Sequence, residues 1–262
     1  MVVKELWEEL KKSLFEPVAF EVGFGSDDGL PPIAIENGSM NAVLRGFVDR
    51  VDQWVENGTG YYRVVDYKTG KKDFDYCDVF NGVGLQMLLY MYALRQTGGP
   101  ILGDRPVPAG VQYFPARAPY LPTEGKLPPE EAEKERLAQW KRKGLLLSDE
   151  HVLKAMEPGD APQRLSYSIK KDGSLSGDIA DRDQLQRLRS YIFRFLGKMV
   201  EDIASGNVTP NPYTRGSSHD ACAFCPYGAV CHKAQVEGRR NYKAMTAQKF
   251  WEEIEKEASS RG

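Results

Sequence analysis

Arg45-Gly46-Phe47-Val48-Asp49-Arg50-Val51-Asp52, followed after a polar interval by Val64-Val65-Asp66-Tyr67-Lys68-Thr69-Gly70, is the stretch on which the fold turns. Residues 42–54 and 61–66 are rich in β-forming side chains, and Asn57-Gly58-Thr59-Gly60 supplies turn chemistry between them, so the pair reads as a β-hairpin. Adjacent antiparallel strands bring Asp49 and Asp66 side by side. Two carboxylates at that range resist double ionisation unless a cation neutralises them. Mg²⁺ or Mn²⁺ suits such a site, because Mg²⁺ takes few carboxylates and keeps several waters. Lys68 lies two residues from Asp66, so on a strand both side chains share a face. An ammonium there orients water and stabilises charge in phosphoryl transfer. Acidic and lysine residues at strand ends are commonly just solvated. Here Val64 and Val65 place Asp66 directly beyond a buried segment, an unusual place for surface decoration. Asp52, offset by three from Asp49, points to the other face and reads as structural or salt-bridged.

Outward from the hairpin, Leu6, Trp7, Leu10 and Leu14 give a helix over 5–15, ended by Pro17. Alternating Val18, Phe20, Val22 and Phe24 give a strand, and 33–36 a short one before an Asn37-Gly38 turn. Residues 78–96 read as one helix weakened by Gly82 and Gly84, with Gln86 and Tyr90 four apart on one face. That pair either reaches a metal water or a phosphate, or is a core tyrosine with a satisfied hydroxyl; helical pattern alone favours the second. A strand over 110–114 follows. Strands, helix, strand imply an α/β fold with a mixed sheet and a helix packed on it. Further helices are expected over 130–143, 149–156, 181–205 and 241–258, with loops over 115–129 and 207–218.

The 262 residues carry 35 Lys and Arg against 37 Asp and Glu, a net charge of −2. This excludes a globally basic nucleic-acid coat but not a local basic channel. Hydrophobic residues at 41 % and charged residues at 27 % exclude wholesale disorder. No apolar run approaches a membrane span and the N-terminus has no signal-peptide layout, so the expectation is a cytoplasmic protein with no membrane partner. Local basic runs are Lys71-Lys72, Lys141-Arg142-Lys143 and Arg239-Arg240. Lys71 and Lys72 follow the second hairpin strand, where a phosphate backbone would pass. Lys141 to Lys143 read as a solvated helix face. Tyr61, Tyr62, Tyr76 and Phe80 either stack unpaired bases or pack in the core, the latter being the commoner use of aromatics. Of four cysteines, Cys222, Cys225 and Cys231 form C-x2-C-x5-C. That density suggests a thiolate-bound metal, zinc or iron–sulfur, over three buried thiols. His232 is a minor alternative ligand.

Taken in order, Asp49, Asp66-Tyr67-Lys68 and Gln86-x-x-x-Tyr90 resemble the PD-(D/E)XK nuclease superfamily, RecB-like branch. Gly46-Phe47-Val48-Asp49-Arg50-Val51-Asp52 and Asp66-Tyr67-Lys68-Thr69-Gly70-Lys71-Lys72 bring the chain closer to the C-terminal nuclease domains of the AddB family, the B subunits of bacterial ATP-dependent helicase–nuclease complexes. The likeness runs over nearly the whole chain, through Pro17-Val18-Ala19-Phe20-Glu21, Pro108-Ala109-Gly110-Val111-Gln112-Tyr113-Phe114 and the cysteine run. It implies a restriction-endonuclease-like core, a mixed β-sheet flanked by helices, with a C-terminal cysteine-rich segment. Its implied domains are 1–206, the nuclease with helical insertions, and 207–262, the cysteine segment and last helix packed on the same domain. Asp49 and Asp66, with the Tyr67 carbonyl, become metal ligands. Lys68 becomes the catalytic lysine, and Gln86 and Tyr90 sit at the active-site edge holding the strand.

The resemblance further implies Mg- or Mn-dependent, exonuclease-type hydrolysis of single-stranded DNA, with an AddA-like helicase subunit as partner, in recombinational double-strand-break repair. Cys222, Cys225 and Cys231 become three ligands of a [4Fe–4S] cluster whose fourth cysteine lies upstream in the longer family members. The cluster is therefore expected to be incomplete in this chain, an excised domain or truncated product. The family often carries a His or acidic ligand before the first core strand; the histidines, His151, His219 and His232, come too late, and Glu21 is a weak substitute. This gap motivates a rival reading, a catalytically incomplete DNA-binding and docking module.

Overall fold

The computed structural model describes residues 2–26, 29–37, 40–118, 125–159, 161–215, 219–231 and 239–259. In chain order the elements are α1 (Val2–Leu10), β1 (Glu16–Phe24), β2 (Ile33–Asn37), β3 (Met40–Leu44), β4 (Gly46–Glu56), β5 (Thr59–Lys68), α2 (Tyr76–Phe80), α3 (Gln86–Thr97), α4 (Gly99–Leu102) and β6 (Val107–Pro115). There follow α5 (Pro129–Gln139), β7 (Lys143–Leu147), α6 (Glu150–Met156), β8 (Tyr167–Ile169), β9 (Leu175–Gly177), β10 (Ile179–Ala180) and α7 (Arg182–Ala204). The last are β11 (Tyr213–Arg215), β12 (His219–Asp220), α8 (Gly228–Cys231), β13 (Arg240–Asn241) and α9 (Ala247–Ser259). Two compact units divide the chain: one of 1–34, 43–74 and 85–189, the other of 35–42, 75–84 and 190–262.

The first unit is built on a six-stranded sheet in the order β1-β4-β5-β6-β7-β10. Its β4–β5 hairpin closes through Asn57 and Gly58, with φ of 49° and 78°. Both are left-handed, which is the two-residue turn that matches strand twist. β5 runs parallel to β6, β6 antiparallel to β7, and β7 parallel to β10, so the sheet is mixed. α3 packs on β5 and β6, and the Tyr62 hydroxyl donates to the Met91 carbonyl at 2.6 Å. This is the α/β architecture the resemblance implies.

Several elements differ from the sequence reading. The helix expected over 78–96 is two helices, because Gly82 and Gly84 adopt φ of 81° and 69°, which no right-handed helix accommodates. Pro17 ends no helix: it lies within edge strand β1, beside a register shift between Pro17 and Ala19, where a missing N–H costs least. The helix expected to reach residue 143 stops at Gln139, and Lys143 starts β7. β11 lies inside the loop expected over 207–218. Gly38 of the expected Asn37-Gly38 turn and part of the 115–129 loop lie outside the described residues.

Among the described residues no helix is long and apolar enough to cross a membrane. On one face of the sheet, buried charges tie α1 to the strands. Glu9 Oε1 meets Arg63 at 3.0 Å, Arg63 Nε meets Asp52 at 2.8 Å, and Arg50 Nε meets Asp52 at 2.8 Å. Arg142 Nε donates to Glu9 at 2.9 Å and Arg164 Nε pairs with Glu5 at 2.6 Å. Asp52 is thus salt-bridged, as read from its offset.

The second unit holds the sheet β12-β11-β13 and packs α2 against α9. Tyr76 lies 5.1 Å from Phe250 between ring centroids, and Phe80 stacks on Tyr191 at 5.5 Å. Cys77 is buried there, its thiol donating to the Lys243 carbonyl at 3.1 Å.

Candidate active site

The first unit carries every candidate catalytic residue. β4 and β5 pair through Arg50 and Val65; the register carried one step further sets Asp49 against Asp66. Asp49 Oδ2 accepts the Tyr67 amide N–H at 2.9 Å, so backbone fixes that carboxylate. Lys68 Nζ lies 2.6 Å from Asp66 Oδ2, the lysine half-buried and the aspartate nearly closed off. Burial lifts the Asp66 carboxyl above its ordinary range; Lys68 pulls it down, Asp49 pushes it up, and the balance remains upward. A carboxylate strained this way by burial and a like charge is stabilised by an added cation.

The Tyr67 ring turns to the other face, where its hydroxyl accepts from Arg50 at 2.8 Å. Tyr67 thereby joins the buried charge cluster to the Asp49 carboxylate through one residue. Gln86 Nε2 donates to the Tyr90 hydroxyl at 2.9 Å. The Tyr90 ring stacks on Phe24 at 6.0 Å and lies over Gly46, three residues before Asp49. Tyr90 is thus a buried side chain whose hydroxyl is satisfied by Gln86, the second of the two readings of that pair.

The donor set fits a small hard cation. Two carboxylates and a backbone carbonyl suffice where the metal keeps its waters. Among the described residues no three His, Cys, Asp or Glu side chains gather as a zinc site would require. Glu21 is exposed on β1 with φ of 49°, and Glu5 and Glu9 are taken up by arginines. Cys222 is half-buried, while Cys225 and Cys231 are exposed. They suit a thiolate-bound cluster by type but not by number. His232 lies outside the described residues.

A family model described as the PD-(D/E)XK nuclease superfamily matches residues 1–232. The chain belongs to that superfamily.

Similar curated proteins are named as the B subunits of an ATP-dependent helicase/deoxyribonuclease. That of Acetivibrio thermocellus is 36 % identical over 254 residues, covering 94 % of this chain and 22 % of that protein. That of Symbiobacterium thermophilum is 34 % identical, covering 95 % and 22 %. That of Clostridium acetobutylicum is 32 % identical, covering 99 % and 23 %. The chain therefore spans about a fifth of the length of these relatives.

Within this PD-(D/E)XK sheet, one row of residues escapes sequence reading. Asp66 pairs with Tyr113 across β5–β6, and Tyr113 with Lys143 across β6–β7. Laterally paired residues share a face, so the row runs from the candidate carboxylate to Lys143. Burial and then Asp66 push the Tyr113 hydroxyl up to about 12, so it stays protonated at neutral pH. Only strand register reveals this row, and one sequence does not supply register between distant strands.

Proposed function

We propose that this chain is the nuclease module of a helicase–nuclease and hydrolyses phosphodiester bonds in DNA. The observation that carries the reading is the facing pair Asp49 and Asp66, with Lys68 on the Asp66 carboxylate. Membership of a nuclease superfamily and relatives named for a helicase/deoxyribonuclease support it.

Asp49, Asp66 and the Tyr67 carbonyl would hold Mg²⁺ or Mn²⁺. Such an ion, when bound, polarises the phosphate and makes water more acidic. The Tyr67 amide N–H fixes Asp49 Oδ2, which would leave the other oxygen to take the ion. Lys68 lies on the same strand face as Asp66 and would bond a phosphate oxygen or hold the attacking water. Gln86 and Tyr90 would brace the strand at the edge of the site. We take the substrate to be single-stranded DNA, released by an AddA-like helicase partner during recombinational repair, with exonuclease-type cutting. The cysteine run would give three ligands to a [4Fe–4S] cluster completed in a longer protein.

The test is degradation of end-labelled single-stranded DNA with Mg²⁺ or Mn²⁺. Asp66→Ala and Lys68→Ala are each expected to lower cutting about a thousandfold with near-UV circular dichroism unchanged. A chelator should abolish wild-type cutting. Full activity in either variant would remove this site assignment. Strand binding without any metal-dependent cutting would favour the docking-module reading.

A further inference from the structure

A cavity of about 440 Å³ opens beside Lys68 and is lined by Lys71, Lys72, Arg117, Lys141 and Lys143, with Asp73 as the one carboxylate among the described lining residues. The chain as a whole is slightly acidic, so this concentration of cations is local. Sequence reading assigns Lys141 to Lys143 to a solvated helix face. The structure corrects this, since α5 has ended and the run is extended.

Alternation on that extended run builds the site. Arg142 is buried, anchored to Glu9 at 2.9 Å on one face of the sheet and donating to the Trp140 carbonyl. Its neighbours Lys141 and Lys143 take the other face and line the cavity. Lys143 also ends the Asp66–Tyr113–Lys143 row, and Lys72 Nζ lies 5.8 Å from the Tyr113 ring centroid. Among the described residues the lining is net positive: Asp73 reaches Lys71 only at 3.6 Å and Lys143 only at 3.9 Å. Trp140, 2 % exposed, lines the same cavity, and its indole N–H has no hydrogen-bond partner among the described residues.

We propose that this cavity is a phosphate-backbone subsite, holding the nucleic-acid strand next to the phosphate at Asp49, Asp66 and Lys68. The proposal rests on the nuclease reading for the identity of its ligand. The cavity begins at Lys68 and continues across three strand ends, as a polyanion would. Lysines that contact phosphate carry no base information, so binding through Lys71, Lys72, Lys141 and Lys143 is expected without sequence preference.

Binding of labelled oligo(dT) in a chelator, over a salt series, tests this without any cutting. Lys141→Ala/Lys143→Ala is expected to weaken binding at least tenfold at low salt. It should flatten the log affinity–log salt slope by about 1.4, at roughly 0.7 for each single-strand phosphate no longer neutralised. Lys141→Arg/Lys143→Arg should restore both, and the melting temperature should not move. The proposal is overturned by a double alanine variant with wild-type affinity and slope, by a wild-type chain that does not bind, or by inorganic phosphate competing at concentrations comparable to the oligonucleotide's own phosphates. If Asp66→Ala still cuts while the slope changes as expected, the nuclease site assignment fails and the subsite stands.

Discussion

A methyl group on Gly46 would lie 2.5 Å from the Tyr90 hydroxyl oxygen and 2.8 Å from its ring Cε1. The ring cannot simply swing aside, because it stacks on Phe24 and its hydroxyl accepts from Gln86. Gly46→Ala is therefore expected to destabilise the fold by about 1–3 kcal/mol and to lower cutting by displacing Tyr90 and Gln86. Adding Tyr90→Phe removes the nearest atom but not the ring, so it should recover stability only in part. Urea midpoints of the single and double variants check this; a wild-type midpoint for Gly46→Ala would refute the clash. At this scale the sequence is informative where strand period decides. Asp66 and Lys68 share a face, and Asp52 leaves the face of Asp49, because side chains alternate. Tyr113, Trp140 and Lys143 are illegible because their neighbours come from strands far away in the chain.

Among elements, α1 is held by charge as much as by apolar contact, since Glu5 and Glu9 are both buried against arginines. Burial alone would raise the Glu9 carboxyl; Arg63, Arg142 and Arg50 overcome it and hold it down, from 4.5 to about 2. A carboxyl with a lower pKa in the folded than in the unfolded chain adds stability above the unfolded value. That stability disappears as pH falls from about 4.5 towards about 2. Glu9→Gln should cost about 3 kcal/mol at neutral pH, because it leaves arginines buried without their partner. It should also flatten the acid limb of a urea-midpoint series between pH 7 and 2; an unchanged limb would place the acid sensitivity elsewhere. The hairpin is legible element by element, from β-branched residues and an Asn-Gly turn. The split between α2 and α3 is not, because helical period continues across Gly82 and Gly84 while their left-handed φ breaks the backbone. β7 is hidden for a related reason: Leu145, Leu146 and Leu147 come within a few residues of a charged helix, and a short apolar run has no period that separates strand from helix.

At the scale of the whole chain, each compact unit is discontinuous in sequence: segments 35–42 and 75–84 belong with 190–262, although the first unit surrounds them along the chain. Composition and motif order reveal the mixed sheet and the candidate carboxylates, which all fall in one unit. They do not reveal the interleaving, because it depends on which aromatic rings meet. In the second unit Tyr76 and Phe80 face Phe250 and Trp251 of α9 and Tyr191 of α7. A chain truncated after residue 189 keeps every candidate catalytic residue but strips α2 of those partners. It should bind a hydrophobic dye and unfold at lower urea than the intact chain, since exposed apolar clusters of this kind are unstable in water. Phe250→Ala, a milder change at a fully buried ring, should cost about 3–5 kcal/mol. The ring partners of Phe250 are Tyr76, Phe80 and Trp251, none of them a candidate catalytic residue, so cutting by the folded fraction of this variant should match wild type. Dye binding and urea midpoints of both proteins decide the matter. A truncated chain with the wild-type midpoint and no dye binding would mean that the 75–84 segment needs no cover from residues 190–262.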